Sequence, residues 1–300
     1  MTEPHGPSMV CQARAKINLA LHVTGRRADG YHLLDSLVVF ADIGDRLELA
    51  GVTGTNETNE TNETSLEISG PFGGALKVDD DNLVLRAHQA LSAALPNLLP
   101  ATSFKLTKNL PVSSGIGGGS ADAAAALNGL VELWQLDIEP HTLSEIALLL
   151  GADVPVCLGS TTCRLRGVGE QLTAIENFPA VDCLLVNPGV GVSTPAVFNQ
   201  MALPIDQQAF SELPELPASG WIDWVASTRN DLQSPAISLA PEIAHVIAVL
   251  EHSPGCNLAR MSGSGATCFG LFDGRQETSR AAQQIAKTHP DWWVVATQLG

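Results

Sequence analysis

The residues best suited to chemistry form a glycine-rich loop near the middle of the chain. The loop reads PVSSGIGGGSA from Pro111 to Ala121 and leads into an alanine-rich helix that we expect to run to about Trp134. Four glycines within five positions would be wasteful in a plain turn, because each loses extra backbone entropy on folding. They suit a place where backbone N–H groups approach a ligand, and the free N–H groups at a helix start favour an anion. The loop therefore predicts a phosphate cradle, with a flexible glycine linker as the alternative.

This loop differs from two common nucleotide-binding patterns. It contains no Gly-Lys-Ser/Thr and is not a Walker loop, so a lysine for the phosphates comes from elsewhere in the chain or is absent. It also lacks the acidic residue that ends the second strand of a dinucleotide-binding unit. The predicted phosphate-binding residues are Pro111, Val112, Ser113, Ser114, Gly115, Ile116, Gly117, Gly118, Gly119, Ser120 and Ala121.

The first strand contributes a second set of polar side chains. From Ala13 to Val23 the residues alternate strictly between two faces, which predicts a half-buried β-strand. Lys16 and Asn18 lie two positions apart and therefore share the polar face. That face is either solvated or turned toward a ligand, where Lys16 supplies positive charge and Asn18 a donor and an acceptor. The spacing leaves both interpretations open.

Two further places put polar groups next to turns. Tyr31, the only tyrosine in the chain, follows an Asp-Gly turn and precedes His32. This pair fits ordinary packing, or a site in which Tyr31 stacks on a base and His32 hydrogen-bonds to its edge. Asp153 lies in Gly-Ala-Asp-Val-Pro between two short helical stretches, as a helix cap or as a catalytic carboxylate.

A second glycine turn lies toward the end of the chain. The sequence RMSGSGAT, from Arg260 to Thr267, precedes the apolar run Cys268–Phe272, which predicts a tight turn against a strand. Such a turn can pack near the first loop and near a phosphate. Its hydroxyls either bind ligand or complete the turn, and the candidates are Ser262, Gly263, Ser264 and Gly265.

The bulk composition limits the class of protein. The chain has 300 residues and a net charge of −16, which argues against a nucleic-acid-binding surface because phosphate backbones require clustered lysine and arginine. No apolar stretch is long enough to cross a membrane, and the start MTEPHGPSMV does not resemble a secretory signal. We therefore expect a cytoplasmic protein without a membrane segment. Its six cysteines show no zinc-binding spacing and are expected to be reduced thiols.

The elements that position these residues are predicted to be a mixture of helices and strands. Asn82 is suited to cap a helix that begins at Leu83, and Thr142 with Glu145 forms a capping-box pattern for a helix ending near Gly151. Residues 51–64 contain the repeat TNETNETNET, which has no apolar residue and predicts a flexible insert between two strands.

In this order the three polar motifs resemble those of the GHMP kinase superfamily. Lys16 and Asn18 fall in the first motif, the Gly115–Ser120 loop in the second and Arg260–Thr267 in the third, and the resemblance extends from about Ala13 to Gln298. It implies an α+β fold of two domains: an N-terminal domain like domain 2 of ribosomal protein S5, at residues 1–165, and a ferredoxin-like C-terminal domain, at residues 166–300.

Three shorter sequences narrow the resemblance within the superfamily. GRRADGYH at residues 25–32, GGGSAD at 117–122 and GADVP at 151–155 are similar to the kinases that act on cytidine diphospho-methylerythritol in the non-mevalonate route to isoprenoids. Many GHMP kinases instead have paired serines where this chain has Gly118 and Gly119. A kinase for homoserine, mevalonate or a sugar, and a non-catalytic ligand-binding relative, remain as alternatives.

The resemblance also implies roles for individual residues. Asp153 is expected to accept the proton of the substrate hydroxyl, with Lys16 holding Asp153 ionised and stabilising the transferred phosphoryl group. ATP is expected at the glycine loop with Mg²⁺, for which Ser120 is a candidate ligand. The expected substrate-binding residues are Asn18, Tyr31, His32, Thr194 and Phe198. The implied partners are small molecules, without nucleic acid or membrane, and the enzyme is expected to be a monomer or a homodimer.

Overall fold

The computed structural model describes residues 7–52, 63–79, 81–96, 98–201 and 211–300. These residues form ten strands, nine α-helices and one short 3-10 helix at Gly73–Ala75. The strands are β1 (Ser8–Arg26), β2 (His32–Gly51), β3 (Ser65–Ser69), β4 (Thr102–Thr107), β5 (Cys163–Gly167), β6 (Gln171–Ala174), β7 (Val181–Asn187), β8 (Cys256–Met261), β9 (Cys268–Phe272) and β10 (Trp293–Leu299). The helices are α1 (Leu83–Ala94), α2 (Gly118–Leu133), α3 (Pro140–Leu150), α4 (Val154–Gly159), α5 (Thr194–Gln200), α6 (Trp221–Ala226), α7 (Gln233–Leu239), α8 (Glu242–Glu251) and α9 (Arg275–Thr288). The flexible insert predicted at residues 51–64 lies, from residue 53 to residue 62, outside the described residues.

Local sequence signals explain where several helices begin. The predicted cap of α1 is confirmed, because the Asn82 side chain accepts a hydrogen bond from the backbone N–H of Val84 at 3.0 Å. The predicted capping box of α3 is wrong, since the helix begins at Pro140 and Thr142 lies inside it. Proline is already constrained to the backbone angle of a first helical turn, so the cap is Glu139, three residues before the predicted cap at Thr142.

The chain divides into two compact units, and neither is a continuous stretch of sequence. The first unit contains the beginning of β1 up to Arg14, Gly44–Val112 and Gly118–Gly159. The second contains Ala15–Ile43, Ser113–Gly117 and Ser160–Gly300. Strands β1 and β2 therefore each contribute to both units. The division of the sequence at residue 165 stays a prediction.

The first unit combines a small sheet with four helices. β2 pairs antiparallel with β4, from Arg46 opposite Thr107 to Gly51 opposite Thr102, and β3 pairs parallel with β4. Helices α1, α2, α3 and α4 pack against one another. α2 is buried over most of its surface because its alanine side chains let neighbouring elements approach closely.

The second unit is built on antiparallel strands. β2 pairs with β5 from Leu34 to Val38, and β5 pairs with β6. β10 joins β2 through Leu299 opposite Ala41, and β7, β9 and β8 follow in that order. Helices α8 and α9 pack against these strands, with Ile243, Leu250 and Ile285 in the core. Antiparallel strands covered by separate helices confirm the predicted α+β class.

From Ala15 to Val23 β1 is buried on both faces, so the strand is confirmed, its half-buried character is wrong, and the solvated alternative for its polar face is excluded. The exposed fractions of Lys16, Asn18 and His22 are 4%, 3% and 2%. Strict alternation reports which side chains are polar, and it does not report what covers them. In the second unit the polar face of β1 is covered by protein groups that hydrogen-bond to it.

All six cysteines carry free thiols, and four of them are buried. In the part of the chain that the structure describes, no helix combines the length and the apolar character needed to cross a bilayer.

Candidate active site

Asn18 is held in place on β1 by hydrogen bonds within the second unit. Its backbone N–H donates to Ser262 Oγ at 3.1 Å, and its Nδ2 donates to Ser36 Oγ at 2.8 Å. Its Oδ1 is buried and has no hydrogen-bond partner among the described residues. Because a buried oxygen without a donor costs free energy, Asn18 Oδ1 is an acceptor available to a bound molecule.

Lys16 lies two residues earlier, beside the middle of the glycine loop. Its backbone N–H donates to the carbonyl of Ile116 at 2.9 Å. A Cβ atom on Gly117 would lie 3.1 Å from Lys16 Cβ, so a glycine at this position leaves room for the lysine side chain. Burial raises the pKa of the Cys163 thiol to about 11, and the Lys16 ammonium acts in the opposite direction. The positive charge of Lys16 therefore affects the pKa of a thiol in β5.

The middle of the glycine loop packs directly on the third motif, also within the second unit. Thr267 donates its backbone N–H to the carbonyl of Ser114 at 3.0 Å, and Ser262 Oγ donates to the carbonyl of Gly115 at 3.1 Å. Gly115 has a φ of +76°, and a Cβ atom there would lie 2.6 Å from both Ser262 O and Gly265 N. A side chain at position 115 is excluded, so glycine is required for this close approach.

The third motif is a turn between β8 and β9 that is anchored from several sides. Asn230 donates through Nδ2 to the carbonyls of Met261 and Gly263, both at 2.8 Å. Ser264 Oγ lies 2.7 Å from Thr194 Oγ1, which connects the turn with the start of α5. The sequence did not mark Asn230, because a single asparagine in a coil segment carries no local signal of such contacts.

Arg260 is the first residue of the third motif and a second anchor of this turn, and its contacts were not predicted from the sequence. Its guanidinium is buried and donates to the carbonyls of Leu19, Val225 and Thr228 and to the Thr228 hydroxyl, at 2.8 to 3.1 Å. Burial lowers the pKa of Arg260 to about 10. Since Leu19 follows Asn18 in β1, Arg260 joins the third motif to the first.

Three of the predicted substrate-binding side chains, His32, Thr194 and Phe198, lie in the second unit on or beside α5. The rings of His32 and Phe198 stack with their centroids 4.6 Å apart and their planes 24° from parallel. Thr194 and Phe198 are four residues apart on α5 and share one face of the helix. Burial lowers the pKa of His32, and the charge of Arg26 adds to that effect. His32 is thus a neutral imidazole at neutral pH, able both to donate and to accept.

Tyr31 differs from its neighbour His32 in being exposed. Its exposed fraction is 63%, and its backbone N–H donates to Asp29 Oδ1 at 3.2 Å. Asp29 in turn pairs with Arg27 at 2.7 Å. The turn before β2 is therefore fixed by its own contacts and presents the tyrosine ring to solvent.

The two ends of the glycine loop belong to the first unit. Pro111 and Val112 continue from the chain after β4, while Gly118, Gly119, Ser120 and Ala121 form the first turn of α2. The free N–H groups of this 16-residue helix begin at those residues. The arrangement has the chemistry of an anion site: unpaired amides, a positive helix end and no side chains at two positions.

Beneath this turn lies a buried group of charges that the sequence analysis did not identify. Lys108 Nζ donates to Asp45 Oδ2 and, at 2.6 Å, to Asp122 Oδ2. Burial raises the pKa of Asp122 to about 7, against the opposing effect of Lys108. Burial acts to lower the pKa of Lys108, but the two carboxylates outweigh burial and raise it.

Asp153 lies in the first unit, immediately before α4, and is partly buried. The backbone N–H of the next residue, Val154, donates to the carbonyl of Gly151 at 3.0 Å and so closes the turn between α3 and α4. The segment is a fixed connection between two helices, as the sequence indicated. Lys16 belongs to the second unit, so the contact expected between Lys16 and Asp153 stays a prediction.

Comparison with known proteins defines the class of the chain. Residues 82–160 match the family described as GHMP kinases N terminal domain, and residues 217–291 match GHMP kinases C terminal. Together these matches cover half of the sequence, and they confirm the two-domain GHMP kinase architecture that the motifs predicted. The chain is a GHMP kinase.

Full-length relatives narrow this class. The chain is 46% identical to a 4-diphosphocytidyl-2-C-methyl-D-erythritol kinase of Rhizobium etli, over 96% of this chain and 93% of the relative. It is 50% identical to the enzyme of that name from Cereibacter sphaeroides, over 96% and 98%. A crystal structure of 4-(cytidine 5'-diphospho)-2C-methyl-D-erythritol kinase matches with a TM-score of 0.75 and 31% identity, over 97% and 99% of the two chains. The chain belongs to the 4-diphosphocytidyl-2-C-methyl-D-erythritol kinase family.

Homoserine kinase from Cytophaga hutchinsonii shares the fold alone, with a TM-score of 0.66 and 17% identity.

Proposed function

We propose that this protein transfers the γ-phosphoryl group of ATP to the 2-hydroxyl of 4-diphosphocytidyl-2-C-methyl-D-erythritol, within the non-mevalonate (MEP) pathway of isoprenoid biosynthesis. The observation that carries this proposal is the meeting of three motifs in the second unit. There Lys16 and Asn18, the middle of the glycine loop and the Ser262–Gly265 turn are joined by direct hydrogen bonds. The identity of the substrate is inferred from the family to which the chain belongs.

The nucleotide end of the substrate has suitable side chains near the start of β2. Tyr31 offers an exposed aromatic face on which a cytosine ring stacks. His32, held by its stack on Phe198, offers both ring nitrogens to the edge of the base. Thr194, whose hydroxyl lies against Ser264, adds a donor on the same face of α5 as Phe198. Asn18 Oδ1 accepts a hydrogen bond from a substrate hydroxyl.

ATP binds through its phosphates at the glycine loop, from Pro111 to Ala121. The backbone N–H groups at the start of α2 bind the phosphate oxygens, and the helix dipole adds to the attraction. Among the described residues no group of three or more histidine, cysteine, aspartate or glutamate side chains is placed to hold a metal ion. This fits Mg²⁺ held mainly by the phosphates and water, with Ser120 as a protein ligand. When bound, Mg²⁺ neutralises charge that develops on the phosphates.

Phosphoryl transfer depends on alignment and charge stabilisation more than on covalent chemistry of the protein. Asp153 accepts the proton of the 2-hydroxyl as the hydroxyl oxygen attacks the γ-phosphorus. The bond from the γ-phosphorus to the bridging oxygen of the β-phosphate breaks, and ADP leaves. Lys16 stabilises the negative charge on the attacking oxygen and on the transferred phosphoryl group. We further propose that the enzyme works in the cytoplasm, as a monomer or a homodimer.

The proposal is tested by coupled release of ADP from the purified protein with ATP, Mg²⁺ and each acceptor in turn. We expect turnover with 4-diphosphocytidyl-2-C-methyl-D-erythritol and none with homoserine or mevalonate. Turnover with another alcohol would leave the protein a kinase and refute the substrate. A folded protein without turnover on any acceptor would refute the enzymatic proposal.

The role of Asp153 is tested by the variant Asp153→Asn. We expect a fall in kcat of about 100-fold or more, the usual scale of acid–base catalysis, with an unchanged unfolding midpoint. Asp182→Asn, a partly exposed aspartate on β7, serves as the matched control. A variant that retains near-wild-type kcat would exclude Asp153 as the base.

A further inference from the structure

The buried charges beneath α2 connect three separate parts of the first unit. Asp45 lies in β2, Lys108 follows β4, and Asp122 lies in the first turns of α2. The side chains of all three are at most 4% exposed. Lys108 Nζ contacts a carboxylate oxygen of each aspartate, so one ammonium joins a strand, the end of another strand and a helix.

The same group holds the chain immediately before the glycine loop. Asp45 Oδ1 accepts hydrogen bonds from the backbone N–H groups of Asn109, at 2.5 Å, and Leu110, at 2.8 Å. Leu110 is the residue before Pro111, where the loop begins. Asp122 is the residue after Ala121, where the loop ends. The residues that flank the loop are therefore connected to each other through Asp45 and Lys108.

Gly118, the first residue of α2, leaves space for the Lys108 ammonium because it has no side chain. A Cβ atom at Gly118 would lie 3.1 Å from Lys108 Nζ and 3.6 Å from Asp45 Oδ2. A side chain there would displace the ammonium or the start of the helix. The missing side chain at position 118 thus lets a lysine approach the positive end of a helix, where the two carboxylates compensate its charge.

We propose that Asp45, Lys108 and Asp122 act as a charge clamp that fixes both ends of the phosphate-binding loop and so positions the start of α2 for the triphosphate of ATP. The inference rests on the proposed function, in which that loop binds ATP. The three are positioning residues, since they act through the backbone amides of the loop. Loss of Lys108 would leave two carboxylates without their cation, and loss of the Asp122 charge would break the ion pair that ties the start of α2 to Lys108. Either substitution therefore loosens the loop.

The test compares Asp122→Asn with Lys105→Met in the full-length protein. Lys105 lies in β4, three residues before Lys108. It pairs with Glu67 at 3.8 Å, but the side chains of Lys105 and Glu67 are exposed, at 61% and 76%. Hydrogen–deuterium exchange of the ligand-free protein follows the amides of residues 113–122, and steady-state kinetics gives KM separately for ATP and for the acceptor.

We expect Asp122→Asn to speed exchange in the loop by about tenfold or more, because a buried charge pair is lost. The same variant should raise KM for ATP by about tenfold while KM for the acceptor stays within about twofold. Lys105→Met should change neither quantity. Gly118→Ala should also raise KM for ATP, and this effect should shrink in a Lys108→Met background, since the two positions share one contact.

Two outcomes would overturn the clamp. The first is an Asp122→Asn variant whose loop exchange and KM for ATP both stay within about twofold of wild type. Equal increases of both KM values, with faster exchange throughout the protein, would show that the three charges stabilise the protein as a whole and do not position the loop. If Asp122→Asn does not fold, the neutral triple variant Asp45→Asn, Lys108→Met and Asp122→Asn replaces it, and wild-type loop exchange in that protein would refute the clamp. Exchange is measured without ligand, so it reports on the clamp even if the kinase proposal fails.

Discussion

Arg260 provides a direct test of how the third motif is held. Its guanidinium is buried, and the four acceptors that it contacts are neutral oxygens: three carbonyls and one hydroxyl. Burial lowers its pKa from the ordinary value of an arginine to about 10. That change corresponds to about 3 kcal/mol against the charged form, since a tenfold change in an equilibrium is about 1.4 kcal/mol.

Replacing Arg260 with methionine removes this cost but takes the guanidinium donor from the Leu19 carbonyl, the Thr228 carbonyl and the Thr228 hydroxyl. The Val225 carbonyl keeps hydrogen bonds from the backbone N–H and the hydroxyl of Thr228. Each buried acceptor without a donor costs about 1–3 kcal/mol. With about 2 kcal/mol for each of the three acceptors and about 3 kcal/mol regained from the removed charge, the variant loses about 3 kcal/mol of unfolding free energy, a large part of the roughly 5–15 kcal/mol typical of a domain. Arg260→Lys should lose less, because an ammonium retains three donors.

The assay is urea unfolding followed by tryptophan fluorescence, with Arg280→Met, an exposed arginine on α9, as control. We expect a clearly lower midpoint for Arg260→Met and no change for the control. An unchanged midpoint for Arg260→Met would refute the reasoning, because it would mean that the Leu19 carbonyl and the two Thr228 oxygens find other donors at no cost.

Three further predictions follow from single contacts. Gly44→Ala should destabilise the protein by about 3 kcal/mol or more in thermal unfolding, since the new Cβ would lie 2.1 Å from the carbonyl oxygen of Ala13. Gly74→Ala serves as the control and should change thermal unfolding little, because a Cβ there would have no atom within 4 Å. His22 is buried and accepts a backbone hydrogen bond through Nε2, and burial lowers its pKa below 6.5. The unfolded chain therefore binds a proton more readily, so stability should fall as pH drops below about 6.5, and His22→Gln should lose part of that dependence in urea titrations at several pH values. Tyr31→Ala should weaken binding of a cytidine nucleotide about tenfold through lost stacking, and calorimetry showing unchanged affinity would refute the stacking role.

Short-range patterns accounted for much of the fold. The cap at Asn82 and the helix after the glycine loop each depend on residues within a few positions of one another. The strict alternation of β1 predicted the strand correctly but could not decide between a solvated and a covered polar face. Exposure depends on what covers a face, and in β1 the covering groups include Ser262, 244 residues away from Asn18.

The charge clamp shows the same limit within the site. Asp122 was visible as part of a motif, but its partner Lys108 lies 14 residues earlier and Asp45 lies a further 63 residues back. No periodicity connects such positions, since each sits in a different element. The stack of His32 on Phe198 was likewise absent from any local pattern, although both residues were expected at the substrate side.

The interleaved make-up of the two units has a consequence for how the protein can be made and cut. The second unit needs Ala41 opposite Leu299, two residues separated by nearly the whole sequence. During synthesis β2 therefore exists long before its partner β10, and pairing across so long a separation is slow. We infer that no single break in the chain releases either unit as an intact fragment, and that recombination could not exchange one unit as a continuous module.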